Sequence, residues 1–302
     1  MTITLTQPSH RKLWLAAIKP PMYSVAIIPI IVGTAVAFAQ ENVFHPDIFF
    51  LFLGAAILII AWLNLSNDVF DSETGIDENK AHSVVNLTGN KPFVFAIANF
   101  CLALGILGII AIALLQQDWT VLGIVGLCCA LGYSYQGPPF RLGYQGLGEF
   151  ICFICFGPLA IAAAYYSQVY TVSVHTLAAS IIIGISTSII LFCSHFHQVK
   201  DDLAAGKRSP IVRLGTARGA TVLNWATASL FALTVVFVLT GYFPVATLLI
   251  FLSLPFAYQL CHHVQQHHDQ PEKVSNSKFI ALKLHFCSGV LLALGFVIPH
   301  FT

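Results

Sequence analysis

Charge is what this sequence has least of. Only 9% of its 302 residues are Asp, Glu, Lys or Arg, against 57% apolar ones and a mean hydropathy of +0.81. Soluble domains carry about 25% charged residues, so a water-soluble globular chain is excluded and an integral membrane protein is indicated. A net charge of +1 says little about partners. A disulfide framework is also lacking: most of the eight cysteines lie inside apolar runs, where a thiol behaves as a small hydrophobe. Cys152 and Cys155 form a CxxC at mid-span without a second ligand pair, which reads as packing. The sequons at Asn64 and Asn86 read as accidental, because both fall on the expected cytoplasmic side.

Apolar runs of about 20 residues are abundant. They predict nine spans near 15–39, 48–66, 92–115, 119–135, 148–166, 176–197, 217–240, 243–261 and 278–299, hence an all-α membrane protein, a single domain over 1–302. All fourteen Lys and Arg residues then map to one face, leaving Glu41, Asp47 and Asp118 as the only charges on the other. The positive-inside bias makes the cationic face cytoplasmic, with the N-terminus inside and the C-terminus outside. A basic start, an apolar run and "AVAFAQ" imitate a cleavable signal peptide. The run is long, however, "KPP" interrupts its start, and removing it would put the cationic loops on the wrong side.

The scarce charges are concentrated. "NLSNDVFDSETGID", residues 64 to 77, follows span two directly. On a helix, Asn64 and Asp68, and Asn67 and Asp71, are four apart, so their oxygens share roughly one face. Carboxylates this close repel one another unless a cation sits among them. Mg²⁺ suits such a place, since it takes one or two carboxylates plus substrate phosphate oxygens. A second cluster, "HFHQVKDDLAAGKRSP" at 195 to 210, follows span six, with Gln198 and Asp202 four apart. Four crossings separate the clusters, so they return to one face and can meet across a cavity. Lys80, Arg141, Lys207 and Arg208 on that face imply a polyanion. Metal and phosphate together point to a diphosphate, and the lipid-facing bundle above it points to an apolar tail. Taken alone, either cluster also reads as a solvated helix end.

These motifs resemble the UbiA superfamily of intramembrane aromatic prenyltransferases. "NDVFD", Asn67 to Asp71, is similar to the family's NDxxD motif; "QVKDD", Gln198 to Asp202, takes the place of its DxxxD motif; "YSYQGPPFRLG" resembles its YSxxPxR segment through Tyr133, Ser134, a proline and Arg141. Within the superfamily, "NLSNDVFDSETGID", "HFHQ" and "DLAAGKRSPIVRLGT" look most like the 1,4-dihydroxy-2-naphthoate branch, especially its phytyl-transferring type. Two departures stand out: Gly75 replaces an expected acid, with Asp77 following, and Gln198 replaces the first Asp of the second motif.

The resemblance implies a helical bundle around a central cavity open to lipid, with Mg²⁺ at its cytoplasmic rim. The lipid bilayer, phytyl or polyprenyl diphosphate and 1,4-dihydroxy-2-naphthoate are the implied partners, with no nucleic acid. It implies loss of diphosphate and CO₂ in phylloquinone or menaquinone synthesis, in a plasma or thylakoid membrane. Asn67, Asp71 and Asp202 are expected to anchor the metal, with Asp68, Asp77 and Gln198 around it, and Lys80, Arg141, Lys207 and Arg208 on the diphosphate. Tyr133 is the first candidate to stabilise an allylic cation, and His195 and His197 are candidates to bind or deprotonate an acceptor hydroxyl. Glu149 reads as a helix N-terminal carboxylate, Arg213 and Arg218 as topology anchors, and Lys283 as a snorkelling residue. "HHVQQHHD", from His262, reads as a solvated face, with metal binding the alternative. Homogentisate or 4-hydroxybenzoate as acceptor stays open, and so does an ion-coupled secondary transporter.

Overall fold

The structure, a computed structural model, describes Trp14 and residues 20–74 and 83–301. Among these the regular elements are all helical. The nine principal helices are α1 (Ser24–Glu41), α2 (Pro46–Thr74), α3 (Lys91–Gln116), α4 (Thr120–Gln136), α5 (Gly148–Val169), α6 (Val174–His195), α7 (Thr216–Leu239), α8 (Val245–His267) and α9 (Ser277–Val297). Each expected span meets one of them. Eight are long and apolar enough to cross a membrane, whereas α4 has 17 residues. At ~1.5 Å per residue that is ~26 Å, short of a hydrocarbon core ~30 Å thick.

Burial separates an inner layer from an outer one. The apolar windows of α6, α1 and α9 are 72%, 61% and 61% buried, against 28% for α2, α3, α7 and α8. Lipid is as apolar as leucine, so helix contact in a membrane rests on close packing of small residues. The inner helices show this: a Cβ on Gly33 of α1 would stand 2.7 Å from the Ala164 Cβ of α5, and one on Gly157 of α5 would stand 2.6 Å from the Ser180 carbonyl oxygen of α6. Within α5, Pro158 has no N–H to donate, and the ladder widens to a π-turn over Cys155–Leu159 before resuming.

The second span differs from expectation at its end. Predicted to stop at 66, α2 continues to Thr74, 29 residues in all. At ~1.5 Å per residue its ~44 Å exceeds the ~30 Å hydrocarbon thickness. The acids therefore stand on a rigid extension of a spanning helix. Hydroxyls of Ser72 and Thr74 bond back to the carbonyls of Val69 and Asp71, at 2.6 and 3.0 Å. A satellite cluster of Val69, Phe70, Val84, Val85 and Val94 packs the following segment against this extension.

Candidate active site

The end of α2 carries the first motif, and helix phase assigns its residues different tasks. Asn64 and Asn67 face a central cavity. Asp71, one turn on, receives the Nε2–H of Gln136 at 2.6 Å, from the last residue of α4. Asp68 lies at the edge of that stripe and is 2% exposed. Its Oδ2 accepts the backbone N–H of Val84 at 3.0 Å, capping the short helix Val84–Thr88. Asp68 and Asp71 lie on one side of α2 but meet different partners, Asp68 reaching a neighbouring helix start that needs an acceptor.

The second motif forms a compact turn after α6. Asp202, on the short helix Val199–Ala204, is fully buried. The Lys207 ammonium stands 3.4 Å from its Oδ1, and neither carboxylate oxygen has a hydrogen bond. A buried ion pair offsets its desolvation only when further hydrogen bonds satisfy the remaining lone pairs. Asp202 therefore holds acceptor capacity that the folded chain leaves unused. Gln198 sits at the start of the same helix, half-buried, its carbonyl accepting the Asp202 N–H at 2.7 Å.

Tyr144 joins the two motifs. Its hydroxyl hydrogen-bonds Thr74 of α2 at 2.6 Å, its ring lies 6.0 Å from the Lys207 ammonium, and its carbonyl accepts the Arg208 N–H at 2.8 Å. Arg213 braces the same contact by donating to the carbonyls of Arg208 and Gln145, at 3.0 and 2.6 Å. Gly146 permits it: φ is +81°, and a Cβ there would lie 2.5 Å from the Arg208 carbonyl oxygen. Arg213 is thus part of the scaffold of the rim, more than a topology anchor. Arg141 points to Glu73 at 3.4 Å, a carboxylate that also binds Lys91 at 2.7 Å. Arg208 is exposed. Asp77 and Lys80 lie outside the described residues.

Below the rim is a cavity of about 260 Å³ with mostly apolar walls, including Ile30, Ile59, Ile151, Phe156 and Ile190. Its polar lining comes mainly from the helix ends at the rim: Asn64, Asn67, Tyr135, Ser194 and Lys278. Tyr135, together with Phe52 and Phe156, supplies the aromatic rings of this lining, and is the one of the three at the rim. Tyr133, expected in that role, is 37% exposed, donates its hydroxyl to the Pro138 carbonyl at 2.8 Å and packs edge-on against Phe70. Two residues along a helix are ~200° apart, which is why only one of the pair can face inward. The signal for Tyr135 lies in the glycines after it: a Cβ on Gly143 or Gly148 would stand 2.6 or 2.7 Å from its ring. Tyr135 is within electrostatic reach of Glu149, Asp71 and Asp202 together.

His195 does not line the cavity, although its neighbour Ser194 does. Its Nδ1 is 2.9 Å from Glu149 Oε1, and its Nε2 is buried without a hydrogen-bond partner. Glu149, in the first turn of α5, is thus a histidine partner as well as a helix N-terminal carboxylate. His197 is half-buried in the turn that follows α6. Among the described residues no three His, Cys, Asp or Glu side chains are grouped to hold a metal ion. His263 meets the Lys273 carbonyl at 3.1 Å and His268 meets Thr216 at 3.0 Å, so the histidine run serves surface contacts. Among the described residues an all-protein carboxylate cage is therefore not built. The donor set that does exist is one unsatisfied buried carboxylate, one amide-steered carboxylate and cavity-facing amides, and it suits Mg²⁺ that completes its shell with phosphate oxygens and water.

Spanning helices, an apolar cavity and an acidic and cationic rim define an intramembrane enzyme acting on a substrate with an anionic head and a hydrocarbon tail. The chain belongs to the UbiA prenyltransferase family, whose model matches residues 26–286. It is 63% identical over 291 residues to the 2-carboxy-1,4-naphthoquinone phytyltransferase of Synechocystis sp., covering 96% of this chain and 95% of that protein. The chloroplastic enzyme of the same name from Arabidopsis thaliana is 43% identical over 301 residues, covering 97% and 78%. Among solved structures, digeranylgeranylglyceryl phosphate synthase superposes with a TM-score of 0.63 at 14% identity, covering 96% of this chain and 100% of that one. A UbiA homolog from Archaeoglobus fulgidus bound to GPP and Mg²⁺ gives 0.56 at 13% identity, covering 93% and 99%. At such identities these two structures speak for the fold.

Proposed function

We propose that this protein transfers a phytyl, or another polyprenyl, group from its diphosphate to 1,4-dihydroxy-2-naphthoate, releasing diphosphate and CO₂ in the synthesis of phylloquinone or menaquinone. The observation that carries this reading is the buried Asp202 carboxylate, its oxygens without hydrogen bonds, in a chain 63% identical to a named naphthoquinone phytyltransferase.

Asn67, Asp71 and Asp202 would hold the metal, with Gln198 next to Asp202 on the second motif and Asp77 contributing as the family's motif implies, while Asp68 serves the fold. When bound, Mg²⁺ draws off the charge that develops on the diphosphate as the allylic carbon to oxygen bond breaks. Gln136 keeps Asp71 oriented through its 2.6 Å hydrogen bond. Lys207, Arg208, Arg141 and Lys80 neutralise the remaining phosphate charge, an electrostatic stabilisation that requires no covalent nucleophile. The apolar walls exclude water from the allylic cation, and the Tyr135 ring offers it a π-face. The electron-rich ring of the acceptor then attacks the allylic carbon, and loss of the carboxylate as CO₂ returns its electron pair to the ring. His195, held by Glu149, fixes the end of α6; His197 is the histidine for an acceptor hydroxyl. The cavity of about 260 Å³ lies below the ~300–1,000 Å³ of most ligand pockets, so the far end of the tail runs on into lipid.

The chain is one domain with nine crossings, α4 included, in a plasma or thylakoid membrane. The rim and the N-terminus face the cytoplasm, a topology that cysteine labelling placing loops 67–91 and 198–216 on opposite sides would refute. The central test incubates purified protein with Mg²⁺, 1,4-dihydroxy-2-naphthoate and phytyl diphosphate and weighs the product. A prenylated, decarboxylated naphthoquinol that disappears with EDTA is expected. Persistence of product in EDTA would sink the metal mechanism, and turnover of homogentisate or 4-hydroxybenzoate alone would replace the acceptor.

A further inference from the structure

Lys207 is a buried cation in a loose pair. It is 5% exposed and Asp202 is fully buried, whereas lysine is almost never buried unless it is paired. Yet its ammonium stands 3.4 Å from Asp202 Oδ1 without forming a hydrogen bond, where a charge-assisted N–H···O contact closes to about 2.7–2.9 Å. On the exposed side of the α2 end, Lys91 reaches Glu73 at 2.7 Å. Burial should favour the tighter pair, because attraction between charges grows as the local dielectric falls. Lys207 is thus placed to neutralise Asp202 while leaving its lone pairs open.

The backbone around this pair is held, and the lysine stem is not. The Lys207 N–H donates to the Asp202 carbonyl at 2.7 Å, and the next residue, Arg208, donates to the Tyr144 carbonyl at 2.8 Å. A flexible four-carbon stem carries the ammonium, which lies 6.0 Å from the centre of the Tyr144 ring. The Tyr144 hydroxyl meets Thr74 at the end of α2, so the lysine stands between Asp202 and the first motif. A divalent cation arriving alone at Asp202 would meet this ammonium at close range. One arriving with diphosphate brings the ammonium a new anion. We propose that Lys207 is an exchangeable counter-ion that makes the site select a metal–diphosphate complex over the free metal: Asp202 passes from the ammonium to the metal, and Lys207 turns from Asp202 to the diphosphate. This rests on the reading that Asp202 is a metal ligand. The empty site thereby keeps its buried carboxylate neutralised, and the metal is retained only together with the diphosphate.

The test uses the full chain in nanodiscs, with Mn²⁺ in place of Mg²⁺ and free Mn²⁺ counted by electron paramagnetic resonance. In wild type, inorganic diphosphate at matched free Mn²⁺ is expected to tighten Mn²⁺ binding about 10–100-fold. Lys207→Met and Lys207→Gln are expected to bind Mn²⁺ alone about tenfold more tightly than wild type, with the enhancement by diphosphate reduced by about the same factor. A lysine that only contacts diphosphate would leave the enhancement unchanged when removed, and one that only braces the fold would weaken Mn²⁺ binding; either result overturns the exchange. Removing one partner of a buried pair is destabilising, so melting is followed as well. Because a ligand stabilises in proportion to its affinity for the folded state, Mn²⁺ alone should raise the melting temperature of Lys207→Gln by more than that of wild type, and an equal or smaller rise also overturns the exchange. A wild type that binds no Mn²⁺, with or without diphosphate, refutes the metal reading itself; one that binds Mn²⁺ while the variants bind it no more tightly refutes only the role of Lys207.

Discussion

Asp68 and Asp202 are both buried aspartates in acidic segments at one end of the bundle, yet their surroundings are opposite. Asp68 receives the backbone N–H of Val84, and that bond closes the α2–α3 connection. Asp202 has a lysine at 3.4 Å and no hydrogen bond on either oxygen. The contrast teaches that acid density alone does not mark a site. A buried carboxylate that accepts a backbone N–H stabilises the fold; one whose oxygens have no hydrogen bond keeps acceptor capacity for a ligand.

The largest effect that would break or sharpen this comparison is catalytic. Asp202→Asn and Asp71→Asn are each expected to lower turnover per folded molecule about 100–1,000-fold, Asp202→Asn with some loss of stability because the buried Lys207 ammonium loses its partner. An active Asp202→Asn protein would falsify the assignment. Next comes Gly148→Ala, whose Cβ would stand 2.7 Å from the Tyr135 ring. Displacing that ring is expected to cost about 10–100-fold in turnover, measured against an unchanged affinity for phytyl diphosphate. Asp68→Ala is expected to do the reverse of Asp202→Asn. It leaves the Val84 N–H unsatisfied, destabilising the protein by about 1–3 kcal/mol, with turnover per folded molecule within about threefold. If Asp68→Ala abolished turnover in a fully stable protein, the distinction between the two aspartates would collapse.

The smallest effect lies at the far end of the bundle, where Asp118 is a solvated counterpart. Hydrogen bonds from Thr120, and then from the Tyr166 hydroxyl, hold its carboxyl below its ordinary 3.8. A depressed native pKa contributes stability above the ordinary value, and that contribution is lost as pH falls through the native one. Tyr166→Phe removes one of these bonds, at 2.8 Å. The stability gap between variant and wild type is therefore expected at neutral pH and should narrow below pH 3.8. A gap independent of pH would assign the effect to packing.

Much of the site was legible because its chemistry is written in local patterns. Asn67 and Asp71, one turn apart, lie at the α2 end where expected, and Gln198 and Asp202 share one short helix. What the pattern could not say is which acid turns inward, since helix phase brings residues to a common side but neighbours decide what each one meets. The choice of Tyr135 over Tyr133 depended on the glycines at 143 and 148, which read in the sequence only as turn formers. Lys278 looked like one more inside-face cation until α9 packed against α1 and α6 and brought it to the cavity.

By itself the sequence determined the solvent, the helical class, the two acidic motifs and the family they resemble, because hydropathy and i, i+4 spacing are properties of a single segment. Only the tertiary structure decided that Asp68 serves the backbone, that Asp202 is buried with its oxygens unsatisfied, and that Tyr144 ties the two motifs together. The first and last of those facts need partners more than 15 positions away in the chain. Burial and hydrogen-bond satisfaction belong to the packed molecule, where segments distant in sequence compete for the same donors.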